Sequence, residues 1–147
     1  MEKPDVNNMK IKVIIGSTRQ NRFSEKPAHW IYEEVKKKKE VNAELLDLRD
    51  YPMPFFDDAV SPAVSGGMYS NKVVQKWAEK INEGDAFIIV TPEYNHGYPV
   101  VLKNALDSIF PEWKRKVVGF MGDRVETFLN ELLWTTRALK AARQANN

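Results

Sequence analysis

The fold is decided by residues 9–24, which read MKIKVIIGSTRQNRFS. The apolar run from Met9 to Ile15 suits a strand that is buried on both faces, and Gly16 ends it. A polar loop follows and leads into apolar residues at helical spacing, namely Ala28, Ile31 and Val35. A buried strand, a polar loop and a helix in this order predict the start of a parallel α/β sheet.

The rest of the chain continues this alternation. Three more strands are predicted, over Val41–Leu48, Asp85–Thr91 and Lys116–Met121. Further helices are predicted over Asn71–Asn82, from Pro99 onward, and over Asp123–Gln144. A long loop, 51–67, joins the second strand to the second helix. The pattern predicts one doubly wound α/β domain over residues 1–147, with a loose tail at 1–8.

Composition and charge exclude several classes of function. The 147 residues contain 22 Lys and Arg against 20 Asp and Glu, and this balance gives no support for a nucleic-acid partner. No apolar run approaches the ~18 residues of a membrane span, so no membrane partner is expected. The chain has no cysteine, which excludes disulfides, thiolate metal sites and the cysteine nucleophile of the small tyrosine phosphatases. It also fits a reducing compartment, and we expect a cytoplasmic protein.

The loop after the first strand has the composition of a phosphate site. It reads GSTRQNRFS from Gly16 to Ser24, with hydroxyl groups and two arginines before a helix N-terminus. Backbone N–H groups at such a position face an anion, and guanidinium groups add charge and forked donors. The dinucleotide and P-loop NTPase fingerprints are absent, which favours a mononucleotide phosphate. A polar surface loop with ordinary salt bridges is the alternative interpretation.

A second unusual loop follows the third predicted strand. Residues 91–99 read TPEYNHGYP, and a turn containing Asn and Gly exposes backbone donors and acceptors that suit the polar edge of a flavin ring. A plain strand-to-helix turn explains Gly97 and Pro99 but not the density of Glu, Tyr, Asn and His. In a doubly wound sheet, ligands bind beyond the carboxyl ends of the strands, where both loops are expected.

With both of these loops, the sequence resembles the NADPH-dependent FMN reductases. The match is carried by GSTR at 16–19, PEYNHGYP at 92–99 and LKNALD at 102–107, and it extends over roughly residues 9–122. The resemblance implies a flavodoxin-like fold and an enzyme that uses FMN and NADPH. It implies hydride transfer from NADPH to flavin and then to a small-molecule acceptor, such as a quinone, an azo compound or free flavin, in a homodimer or homotetramer. A flavodoxin-like electron carrier and a shortened flavin-binding interaction module without turnover are the alternatives.

The resemblance also implies the residues that hold the cofactor. The phosphate of FMN would be surrounded by residues of the first loop, Ser17, Arg19, Arg22, Phe23 and Ser24. The isoalloxazine ring would be bordered by residues of the second loop, Pro92, Glu93, Tyr94, Asn95 and Gly97. No catalytic side chain and no metal ligand is implied, since the chemistry belongs mainly to the cofactor.

The chain departs from the family pattern after Gly122. Family members continue with a glycine-rich loop, a helix and a fifth strand, whereas here the fourth strand leads almost directly into the last helix. The sheet is therefore expected to be shortened to four strands. Two explanations are open: a deletion in the protein itself, or a stretch omitted from the sequence.

Overall fold

The described part of the chain forms a four-stranded parallel sheet covered by helices on both faces. The structure, a computed structural model, describes residues 8–120 and 125–145. Its strands are β1 (Met9–Ile15), β2 (Val41–Asp47), β3 (Ala86–Val90) and β4 (Val117–Phe120), in the spatial order β2-β1-β3-β4. The four-stranded α/β sheet confirms the fold class predicted from the sequence. The predicted junction after Gly122 and residues 1–7 of the predicted tail lie outside the described residues.

Five helices accompany the sheet in the described residues. They are α1 (Glu25–Lys36), α2 (Pro62–Ser65), α3 (Lys72–Glu83), α4 (Val100–Asp107) and α5 (Val125–Ala145). Helices α1 and α5 pack on one face of the sheet, and α3 and α4 pack on the other, so that each face has its own apolar core. In the described residues, no helix combines the length and apolar character that a bilayer crossing needs.

Strand β1 lies at the centre because both of its faces are apolar. Ile11, Val13 and Ile15 belong to the core beneath α1 and α5, while Ile14 belongs to the core beneath α3 and α4. Burial of side chains this large is worth about 1.5–3 kcal/mol each before the entropy of ordering is counted. The central position of β1 brings the loop that follows it to the middle of the sheet edge.

Lys12 is the exception on β1. Its residue is only 3% exposed, and its ammonium group forms ion pairs with Glu44 of β2 and, at 2.9 Å, with Glu83 of α3. A buried lysine requires such partners, because an unpaired charge in an apolar interior is strongly disfavoured. Lys12 therefore ties the end of α3 to two neighbouring strands.

Helix α5 docks on the terminal strand β4 through a glycine. A Cβ atom placed on Gly119 would lie 2.5 Å from Cε2 of Phe128, so only glycine allows this approach. At the far end of α5, Lys140 and Arg143 form ion pairs with Asp85 at 3.0 and 2.8 Å. These contacts fix the helix across the face formed by β3 and β4.

The strand register sets the place of the functional site. Ile15 pairs with Asp47 of β2 and with Val90 of β3, so the carboxyl ends of three strands lie side by side. The segments that leave these strands, 16–24, 48–61 and 91–99, therefore begin at the same edge of the sheet. Both loops singled out in the sequence belong to this set.

Candidate functional site

The loop after β1 leaves the sheet through a tight passage at Gly16. The N–H of Gly16 donates to the carbonyl of Val90 at 2.8 Å. A Cβ atom on Gly16 would lie 3.1 Å from Cδ2 of Leu102 and 3.2 Å from the Val90 carbonyl oxygen. Glycine at this position lets the loop lie against β3 and α4 without displacing either.

Two arginines hold the loop through its carbonyl groups. Arg22 donates to the carbonyl of Ser17 at 2.5 Å, and Arg49 donates to the carbonyls of Thr18 and Arg19 at 3.3 and 2.5 Å. Three successive carbonyl groups are thereby engaged by side chains. The backbone N–H groups of Thr18, Gln20 and Asn21 have no acceptor within the described part of the chain.

Arg22 is buried in this arrangement and is paired with β2. Its residue is 6% exposed, and its guanidinium binds both carboxylate oxygens of Asp47, one of them at 2.7 Å. Burial acts to raise the pKa of Asp47, but hydrogen bonds from Arg22 and from the backbone of Arg49 outweigh it and hold that pKa below its usual value. Arg22 thus supports the loop from the side of β2. Its contact with a phosphate stays a prediction.

The remaining predicted phosphate residues differ in exposure. Arg19 is exposed, and its guanidinium has no partner among the described residues. Phe23 is 77% exposed. Ser24 is 4% exposed, occupies the N-cap of α1, and has an Oγ atom with no hydrogen-bond partner among the described residues.

These features fit a phosphate group. A buried hydroxyl without a partner is unfavourable, and an anion at the N-terminus of α1 would supply the missing acceptor. The free backbone N–H groups and the free cation of Arg19 add further donors at the same loop. The loop therefore offers donors of the kind that a phosphate group, such as that of FMN, would bind.

The loop after β3 forms a two-residue turn. The N–H and carbonyl groups of Tyr94 and Gly97 bond to each other at 2.7 and 3.1 Å, and Asn95 and His96 occupy the turn with φ of 50° and 62°. This is the backbone form that tight antiparallel turns prefer. His96 is fully exposed, and its Nδ1 lies 3.5 Å from a carboxylate oxygen of the exposed Glu93.

A hydrogen bond joins the two loops. The hydroxyl groups of Ser17 and Tyr94 lie 3.0 Å apart in a partly buried position. The structure therefore brings the two predicted loops together at the β1–β3 edge of the sheet. The hydroxyl group of Tyr94 thus supports the first loop. The adjoining backbone is formed by Pro92, Glu93, Asn95 and Gly97.

Sequence analysis missed Asp47 and Arg49, which organise the first loop from β2. Asp47 accepts the pair of bonds from Arg22 and also accepts from the N–H of Arg49 at 2.9 Å. The available signal was an acidic residue at the end of the second strand, since neighbouring parallel strands end together. Among the described residues, no group of three or more acidic or histidine side chains is placed to hold a metal ion.

Comparison with known proteins gives one family. Residues 9–128 match the sequence profile of the NADPH-dependent FMN reductases. An NAD(P)H-dependent FMN reductase of Schizosaccharomyces pombe is 39% identical over 107 residues, which are 73% of this chain and 54% of that protein. A 2-hydroxy-1,4-benzoquinone reductase of Burkholderia sp is 33% identical over 113 residues, which are 76% of this chain and 55% of that protein.

The solved structures agree on the fold. The flavoenzyme FerB of Paracoccus denitrificans, an NAD(P)H:(acceptor) oxidoreductase, superimposes with a TM-score of 0.59 at 23% sequence identity, covering 86% of this chain and 72% of that one. The present chain spans about half the length of the two curated relatives, 54% and 55%. The profile match includes both loops and the sheet between them, and on that basis the chain belongs to the NADPH-dependent FMN reductase family.

Proposed function

We propose that this chain is an FMN-dependent oxidoreductase, which passes a hydride from NADPH to FMN and then reduces a small-molecule acceptor. The observation that carries the proposal is the loop after β1. Arginines engage its carbonyl groups, while the N–H groups of Thr18, Gln20 and Asn21 and the buried hydroxyl of Ser24 have no partner within the described residues. Free backbone N–H groups and a helix N-terminus are the donors that bind anions in proteins, which supports the proposal.

The proposal assigns one end of FMN to each loop. Arg19, Ser24 and the free N–H groups would bind the phosphate, with Ser17 and Phe23 beside it and Arg22 behind. The turn from Pro92 to Gly97, including Glu93, Tyr94 and Asn95, would border the polar edge of the ring through its backbone. When bound, FMN supplies the ability to take up a hydride and to pass two electrons to an acceptor.

The names of the relatives support the class of acceptor. One relative is named for FMN reduction and another for reduction of a hydroxylated benzoquinone. We propose a quinone, an azo compound or free flavin as the acceptor here, with residues 1–147 acting as a single FMN-binding domain. The cysteine-free composition also supports a cytoplasmic location as part of the proposal.

A matched pair of arginine variants tests the phosphate site. Arg19→Ala is expected to weaken FMN binding by about 1.5–3 kcal/mol, because a hydrogen bond to a charged group is lost. Arg115→Ala is the control, since Arg115 is also exposed but precedes β4 and lies at the amino end of that strand, away from the loop after β1. Fluorescence titration of FMN measures both affinities. Equal losses in the two variants, or no loss in Arg19→Ala, would remove Arg19 from the site.

Measurement of turnover distinguishes the proposed enzyme from an electron carrier and from an interaction module without turnover. NADPH oxidation should be followed with FMN present and a quinone as acceptor. The proposal predicts turnover that depends on FMN. If FMN binds but NADPH does not reduce it, the chain is an electron carrier or an interaction module, and the proposed activity is wrong.

We also propose that the chain forms a homodimer or homotetramer. Several large apolar side chains in the segment between β2 and α3 are exposed to solvent, namely Phe56, Val60, Val64 and Met68. Exposed apolar side chains that lie close together in the chain, as these do, favour a protein interface. Size-exclusion chromatography with light scattering should show an oligomer that Val64→Asp dissociates. Trp134→Lys, on the exposed side of α5, is the control and should leave the oligomer intact.

A further inference from the structure

The carboxylate of Glu25 faces the two arginines that hold the loop after β1. Glu25 is the first residue of α1 and directly follows Ser24, the N-cap residue. One of its carboxylate oxygens, Oε2, lies 3.4 Å from Nε of Arg22 and 3.9 Å from Nη1 of Arg49. The Glu25 side chain is 47% exposed. A negative charge therefore lies at the end of α1 where the loop offers donors to an anion.

The arginines are held in place by groups other than Glu25. Arg22 binds both carboxylate oxygens of Asp47, and Arg49 donates to two carbonyl groups of the loop. The buried Nε atom of Arg22 has no hydrogen-bond partner among the described residues, although Glu25 lies within ion-pair distance of it. An exposed ion pair without an aligned hydrogen bond adds little stability. Neutralising Glu25 should therefore leave the loop in place.

A carboxylate at this position opposes the binding of a second anion. An acidic residue in the first turn interacts favourably with the positive end of the helix, and a phosphate bound at the Ser24 hydroxyl would use the same end. A phosphate monoester carries about −1.5 to −2 charges at pH 7. Like charges about one helical turn apart, ~5.4 Å, weaken such binding by about three- to tenfold in water at moderate salt.

From these contacts we propose that Glu25 limits the affinity for the phosphate of FMN, so that the flavin binds as an exchangeable ligand rather than as a permanently held group. The proposal rests on the oxidoreductase function and concerns the same loop. Glu25 neutralises part of the positive charge of Arg22 and Arg49 and repels the phosphate. The residue therefore sets how long FMN stays bound, and its effect depends on the phosphate alone and not on the ring.

Two glutamates on the same helix provide matched variants. Glu25→Gln removes the charge beside the loop and keeps the size of the side chain. Glu33→Gln removes the same charge from an exposed side chain eight residues further along α1, ~12 Å away along the helix axis, where salt screens it from the loop. Glu25→Asp keeps the charge at the first position and separates the effect of charge from that of the side chain itself.

Fluorescence titration and stopped-flow release of the flavin measure the effect without turnover. Glu25→Gln should bind FMN about three- to tenfold more tightly than the wild type and release it more slowly by a similar factor. Its affinity for riboflavin, which lacks the phosphate, should stay within about twofold of the wild-type value. Glu33→Gln and Glu25→Asp should bind FMN within about twofold of the wild type, and high salt should narrow the difference between Glu25→Gln and the wild type.

Thermal unfolding with inorganic phosphate provides a second measurement that needs no flavin. Phosphate should raise the melting temperature of Glu25→Gln more than that of the wild type or of Glu33→Gln. If Glu25→Gln binds FMN as the wild type does or more weakly, or if riboflavin gains as much affinity as FMN, the proposal is wrong. If phosphate stabilises Glu25→Gln as expected but FMN binds to none of the proteins, the repulsion of anions by Glu25 stands while the oxidoreductase function fails.

Discussion

Replacement of Arg22 by methionine tests whether Arg22 stabilises the loop after β1. The Arg22 side chain is 1% exposed and binds both oxygens of Asp47, and it also donates to the carbonyl of Ser17 at 2.5 Å. Methionine keeps most of the apolar volume but removes these bonds and the charge. The carboxylate of Asp47, whose side chain is 25% exposed, would then lack its cation.

The expected loss of stability follows from these contacts. Removing one partner of a fully buried pair destabilises by about 3–5 kcal/mol, and the partial exposure of Asp47 reduces this to about 2–4 kcal/mol. Urea unfolding followed by circular dichroism at pH 7 measures it. Arg19→Ala is the matched control: its side chain is exposed, so its free energy of unfolding should equal that of the wild type.

The same pair predicts a pH dependence with a definite sign. Asp47 has a lowered pKa in the folded protein, so its contribution to stability is present above the unfolded pKa of about 4 and is lost as the pH falls through the folded value. The difference between wild type and Arg22→Met should therefore shrink on acidification. In the double variant Arg22→Met/Asp47→Asn, part of the stability should return, since no unpaired carboxylate remains. Wild-type stability in Arg22→Met at pH 7 would refute this account of the loop.

Two further predictions concern the scaffold. Gly119→Ala places a Cβ atom 2.5 Å from the ring of Phe128 and should lower the free energy of unfolding, measured by thermal unfolding, by about 1–3 kcal/mol. If α5 docks on β4 as described, adding Phe128→Leu to this variant should relieve the loss. Burial lowers the pKa of Lys116 to about 8 in the folded protein. Between pH 8 and 10.5 the unfolded chain therefore binds more protons than the folded protein does. The free energy of unfolding should rise with pH across that window, by at most about 3 kcal/mol. Lys116→Met should abolish that rise in urea titrations, and an unchanged slope would contradict the burial of the charge.

Most of the sheet could be predicted because the signals are local. The apolar run and the glycine that ends it, Gly16, predicted a strand over Met9–Ile15, and the structure has the same bounds. The predicted second strand, Val41–Leu48, ends one residue early in the structure, because Asp47 caps a short 3₁₀ turn that begins at Leu48. The short helix Pro62–Ser65 was not predicted, since four residues carry no measurable periodicity.

The candidate site was predictable in place but not in its internal contacts. Strand order and the two unusual loops located the edge of the sheet, and the hydrogen bond between Ser17 and Tyr94 shows that the loops meet there. The sequence gives no means of telling which of two nearby arginines is buried. That choice depends on Asp47, which is distant in the chain and becomes a neighbour only through the register of β1 and β2. Lys12 was missed for the same reason, because Glu44 and Glu83 reach it from other elements.

Paired titrations of the purified chain with FMN and with riboflavin test the central claim most directly. The two ligands share the ring and the ribityl chain and differ only in the phosphate. A loop that binds the phosphate predicts that FMN binds more tightly than riboflavin by about 3 kcal/mol or more, from several charge-assisted hydrogen bonds. It also predicts that Arg19→Ala reduces this difference by about 1.5–3 kcal/mol. Equal affinity for the two ligands, or no binding of either, would contradict the account.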